Sequence, residues 1–178
     1  MSYLTISFYL LLLFIANKIL DKLLIILNKD KIYTKLLSRK TLSTVPYGVF
    51  LNWCYIHLIN EDYTDLNIID RTGGATSPSI CCSIEGVTCY VWVIQKKLNN
   101  PAKSEDDFDK VSLSEMEEIY GHIILKHITN ALIITTGDFS EEALEFSSSI
   151  PDCTISFLDG CTFTHKFMLS QGDVSVEL

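Results

Sequence analysis

No Cys-x-x-Cys pair occurs in the chain, so the ligand spacing of a structural zinc site is missing. Six cysteines are present, but Cys81 and Cys82 are adjacent, and Cys81, Cys89 and Cys153 fall in apolar stretches. They read as reduced core thiols and not as a disulfide frame. Glycine and proline are scarce, at 8 and 4 of 178 residues, and the sequence holds no internal repeat and no low-complexity tract. With 48% hydrophobic and 20% charged residues the composition is globular, and the length suits one domain with a proper core.

Charge is also missing from Met1 to Asn17, where Leu4–Ala16 is almost wholly apolar. A helix of that length is about 25 Å long, the short end of what crosses a bilayer. Lys18, Asp21 and Lys22 then share one helical stripe, and Leu23–Leu27 restores an apolar face. The segment has no basic residue ahead of its apolar run and no small-x-small cleavage site after it, which disfavours a signal peptide. The expectation is a retained membrane-anchor helix over 1–28, with a cleaved signal peptide and a buried core or dimerisation helix as the rivals. The basic residues follow the span, so the positive-inside rule predicts a single-pass protein with its C-terminal domain in the cytoplasm.

Residues 1–40 hold seven of the 14 Lys/Arg against two acids, a net +5, so with −8 overall residues 41–178 carry −13. A domain that acidic does not bind nucleic acid by counter-ion release. The expected organisation is an anchor over 1–28, a basic linker over 29–43, a domain over 44–170 and a tail over 171–178.

Within the domain, Phe50, Trp53, Cys54, His57 and Leu58 recur at helical spacing after Thr44-Val45-Pro46. Leu66–Ile69 reads as a short strand and Thr72–Ser79 as a loop. Ile80–Ile84 and Thr88–Ile94 form a hairpin around Glu85-Gly86. Lys97–Lys110 is a surface connection whose acidic run, Glu105–Asp109, reads as solvated. Ser112 or Ser114 caps a helix carrying Met116, Ile119, Tyr120, Ile123 and Ile124. Ala131–Thr135 is a buried strand, a helix starts at Ser140-Glu141-Glu142, Thr154–Leu158 is a strand and Cys161–Leu169 a helix. A hairpin followed by strand–helix alternation predicts α/β architecture: a mixed sheet with helices on both faces, the hairpin antiparallel and Ala131–Thr135 parallel to its second strand. His57, His122, His127 and His165 are scattered over helices and do not form a ligand set.

Two segments resemble the Mrr-like branch of the restriction-endonuclease superfamily, built on the PD-(D/E)xK active site. Ala131-Leu132-Ile133-Ile134-Thr135-Thr136-Gly137-Asp138-Phe139-Ser140 looks like the strand and Thr-Thr-Gly turn of the family's second half, and Ser149–Lys166 is similar to its ending. Val91-Trp92-Val93-Ile94-Gln95-Lys96-Lys97 resembles the catalytic strand that ends in Gln-x-Lys. The resemblance covers about residues 46–168 and implies a restriction-endonuclease-like fold. It implies Gln95 and Lys97 as the catalytic pair, with Lys97 activating water and stabilising charge on the phosphate. The polar end of an ordinary strand is the alternative reading of these residues.

The family adds an Asp on the preceding strand to bind Mg²⁺, which wants hard oxygen ligands. That place falls on Cys81 or Cys82, and a thiolate is too soft for Mg²⁺. Pro46–Phe50 also lacks the acid that the family often has near the domain start. Asp70 is the nearby carboxylate left as a metal ligand, although Asp70-Arg71 also reads as an exposed turn. The expected function is a catalytically impaired, membrane-tethered interaction module that engages a protein partner. The alternative is an active DNA endonuclease, with Mg²⁺ as cofactor only in that case.

Overall fold

The computed structural model describes residues 38–69, 76–98 and 108–172. The expected anchor over 1–28 and the expected metal residue Asp70 lie outside them. Among the described residues no helix is long and apolar enough to cross a membrane.

Helix α1 (Arg39–Thr44) is capped by Ser38, whose hydroxyl accepts from the Thr41 N–H at 3.2 Å. The expected basic linker over 29–43 is therefore too long, because Leu42 of α1 is fully buried. Pro46 stops α1, since proline restricts the residue before it to extended backbone and Val45 sits at φ −66°, ψ 155°. Helix α2 (Tyr47–Asn60) follows and buries Phe50, Trp53, Cys54, His57 and Leu58.

The main sheet contains β1 (Thr64–Ile68), β2 (Ile80–Ile84), β3 (Val87–Ile94), β5 (Asn130–Thr135) and β7 (Thr154–Leu158), in the order β1-β2-β3-β5-β7. β1–β2 and β2–β3 are antiparallel, whereas β3–β5 and β5–β7 are parallel, so the sheet is mixed as the alternation of elements predicts. The hairpin turn is tight. Glu85 (φ 50°) and Gly86 (φ 79°) both take the left-handed backbone that matches strand twist, and they pair Ile84 with Val87. Two short parallel strands, β4 (Lys110–Val111) and β6 (Asp138–Phe139), form a second sheet.

Helices cover both faces. α3 (Leu113–Leu125) and α4 (Glu141–Ser148) pack on one, where Trp92, Met116, Ile119, Ile123, Ala131, Ile133 and Ala143 form a buried cluster. The pleat turns Val91, Val93, Leu132 and Ile134 to the other face. Phe50 of α2 meets Phe163 of α5 (Gly160–Gly172) edge to face, with ring centroids 5.6 Å apart. α5 extends three residues beyond the helix expected at Cys161–Leu169.

Candidate functional site

β3, β5 and β7 are parallel, so their C-terminal ends gather at one edge of the sheet, the position where open α/β folds place their sites. Gln95–Lys97 follows β3, Thr136–Asp138 follows β5, and Asp159-Gly160 follows β7. α1 lies against this edge, with Arg39 bonded to the Thr136 carbonyl.

Gln95 closes the gap that Pro46 leaves. In a continuing helix the Leu42 carbonyl would accept from the N–H four residues on, and residue 46 is a proline without one. The Gln95 amide nitrogen supplies the donors instead, at 2.8 Å from the Leu42 oxygen and 2.7 Å from the Val45 oxygen. Both partners are pure acceptors, so the orientation of the amide is fixed, and Oε1 is the one side-chain oxygen left for another ligand.

Lys96 and Lys97 behave differently. The Lys96 ammonium sits 2.6 Å from each carboxylate oxygen of Glu115, a residue that also closes the capping box of α3 with Ser112. Burial opposes ionisation of Glu115, but Lys96 and the Ser112 groups outweigh it and hold the carboxyl below its ordinary value. Lys97 is exposed, lies past the end of β3, and makes no ion pair among the described residues.

The Thr-Thr-Gly turn ties the strand ends together. The buried Thr136 hydroxyl donates to the Lys96 carbonyl at 2.9 Å and accepts from the Lys96 N–H at 2.7 Å. The Thr136 carbonyl accepts from Arg39 Nε at 3.1 Å, and Arg39 pairs with Asp138 at 2.5 Å while its guanidinium lies over the Phe108 ring. A Cβ on Gly137 would strike the Asp109 carbonyl oxygen, and one on Gly160 would strike that of Thr136. These two glycines let three strand ends approach closely.

The Cys81–Cys82 position, where the family's Asp was expected, does not lie beside Gln95, and neither does Glu85. The tight turn pairs Cys82 with Cys89, six residues before Gln95 on β3 and so roughly 20 Å away. Cys81 projects to the opposite face of the sheet. Glu85 belongs to the hairpin turn at the far end of β3. Instead, the segment ahead of β2 reaches toward the end of β3. Ser79 Oγ accepts from Tyr47 OH at 3.0 Å and from the Val93 N–H at 3.3 Å, and the Thr76 carbonyl accepts from the Trp92 indole at 2.7 Å. Counting outward from Glu85-Gly86 with strict pairing would have revealed this.

Among the described residues no group of three His, Cys, Asp or Glu side chains could hold a metal. Mg²⁺ is bound chiefly through carboxylates, and at this edge Asp138 and Glu115 are each paired with a cation.

A family model for restriction endonuclease domains of the Mrr type matches residues 63–166. A solved structure of MspJI restriction endonuclease in complex with a 27-mer oligonucleotide is similar over 84% of this chain, with 12% sequence identity and a TM-score of 0.47. The similarity takes in 32% of that protein, so this chain spans about a third of its length. No curated protein matches.

Proposed function

The chain belongs to the Mrr-type restriction endonuclease family, and we propose that here the nuclease scaffold serves as an interaction module, impaired in phosphodiester hydrolysis and tethered to a membrane through residues 1–28. The observation that carries this reading is the commitment of the Gln95 amide to the Leu42 and Val45 carbonyls. The position that would ligate a metal in an active relative pins the junction between two helices.

The charge balance points the same way. Arg39 and Lys96, two of the cations at the strand ends, are neutralised by Asp138 and Glu115. Residues 41–178 carry −13, which repels a polyanion and favours a partner with a basic face. Incubating the full-length chain with supercoiled DNA and Mg²⁺ or Mn²⁺ tests the reading. No nicking above buffer is expected. Metal-dependent nicking abolished by Lys97→Ala would overturn impairment and favour the second reading, an active DNA endonuclease that uses Mg²⁺. One feature favours that second reading: Lys97 is exposed and makes no ion pair among the described residues.

A further inference from the structure

Cys82 and Cys89 stand directly opposite each other on antiparallel strands β2 and β3. Ile84 and Val87 flank the two-residue turn and form a hydrogen-bonded pair, and alternation makes Cys82 and Cys89 another. Residues so paired have Cα atoms about 5.5 Å apart, inside the roughly 4.4–6.8 Å span that a disulfide bridges. The side chains also share one face of the sheet, so both sulfurs project into the same space. Cys82 Sγ donates to the Cys89 carbonyl oxygen at 3.5 Å, and Cys89 Sγ donates to the Tyr90 carbonyl at 3.9 Å. The neighbouring Cys82 thiol lowers the Cys89 thiol against the opposing effect of burial, while the Cys89 thiol and burial together raise Cys82.

We infer that Cys82 and Cys89 form an oxidation site, a cross-strand dithiol that hydrogen peroxide converts into a disulfide within the hairpin. The Cys89 thiolate attacks one peroxide oxygen, the O–O bond breaks, and the departing hydroxide takes up a proton as water. Cys89 becomes a sulfenic acid. The Cys82 sulfur then attacks the Cys89 sulfur, the S–O bond breaks, and the leaving hydroxide takes the Cys82 proton as a second water. Two thiols thus give up two electrons to one peroxide, and a small-molecule thiol reverses the link by exchange.

Burial selects the oxidant. At 1% and 4% exposure the two sulfurs are closed to bulky reagents, while a water-sized peroxide needs only a local opening. The weak side of the hairpin is its edge. β1, which covers β2, is five residues long, largely exposed, irregular between Thr64 and Asn67, and has Asp65 at φ 51°. None of the other four cysteines is matched this way: Cys81 stands opposite Tyr90, and Cys54, Cys153 and Cys161 lie on α2, ahead of β7 and on α5.

The test uses the full-length chain in detergent. It is treated with hydrogen peroxide, quenched with catalase, alkylated, and cut by a protease that cleaves after Glu85. Without a disulfide, the two halves of the hairpin separate. The expected result is a fragment pair, one half holding Cys82 and the other Cys89, joined until dithiothreitol is added, with Cys54 and Cys153 still alkylated. In Cys82→Ser, dimedone should label Cys89; in Cys89→Ser, it should leave Cys82 unlabelled. The wild-type digest decides the matter even if a variant fails to fold. Cys82 and Cys89 both recovered alkylated while exposed Cys161 oxidises, or a link that forms only in denaturant, would overturn the site.

Discussion

Leu42 precedes Pro46 by four residues, and that spacing deprives its carbonyl of a helical partner until Gln95 arrives from 53 residues further along the chain. The amide donates to two carbonyls there, which a carboxylate cannot do. Gln95→Glu would create the acid of an active (D/E)xK motif, yet it sets oxygen against oxygen. We expect it to destabilise the domain by about 2 kcal/mol in denaturant melts, within the range for leaving buried polar groups unpaired. No gain in Mg²⁺ binding by calorimetry should accompany it.

His57 gives a second residue-scale expectation. It is buried against Phe163, and its Nδ1 has no hydrogen-bond partner among the described residues. Burial lowers its pKa, Glu61 opposes that, and Lys166 reinforces it. The unfolded chain therefore takes up a proton below about pH 6.5 that the folded one refuses. Stability from this group is present above that pH and is lost as pH falls through the lowered folded value. Thermal melts should show the midpoint dropping from pH 7 to about 5.5, and His57→Phe should remove that part of the slope.

At the scale of elements, the β2–β3 turn depends on Gly86, whose φ of 79° suits a residue without Cβ. Gly86→Ala should cost about 1–2 kcal/mol in a denaturant titration, the usual penalty for left-handed backbone with a side chain. Ser112→Ala should cost about 1 kcal/mol by removing the cap of α3. It should also loosen the Glu115 carboxylate that holds Lys96, so the Glu115 pKa, followed by NMR, should rise. Strand β3 shows how much one element carries: Trp92 enters the core beneath α3 and α4, Val91 and Val93 enter the opposite one, and the chain beyond Ile94 builds the edge site.

For the molecule as a whole, the proposed tether predicts how the intact protein partitions. Full-length chain should stay with membranes through high-salt and carbonate washes and leave only with detergent, because hydrophobic insertion is insensitive to salt. Recovery in the soluble fraction without detergent would remove the anchor from the proposal. The acidic domain should also bind anion-exchange resin and ignore heparin at moderate salt.

The order of the longer elements, the tight hairpin and the main sheet's mixed parallel and antiparallel pairing were legible in the sequence, because helical and strand periodicities and a two-residue turn are local signals; the two-residue strands β4 and β6 were too short to give one. The family was legible too, in Ala131–Ser140 and the Gln-x-Lys ending of β3. The early start of the domain was not: Arg39–Thr44 is too short to display a period, and its burial comes from contacts with distant parts of the chain. Nor could sequence show what Gln95 does. Its type and spacing match a metal ligand, while its role as the cap of Leu42 and Val45 depends on where a proline ended a helix and where folding brought that helix. Cys81 and Cys82 looked close to Gln95 when counted along the chain. Pairing across β2 and β3 set them roughly 20 Å from it, since distance within a sheet follows register rather than sequence separation.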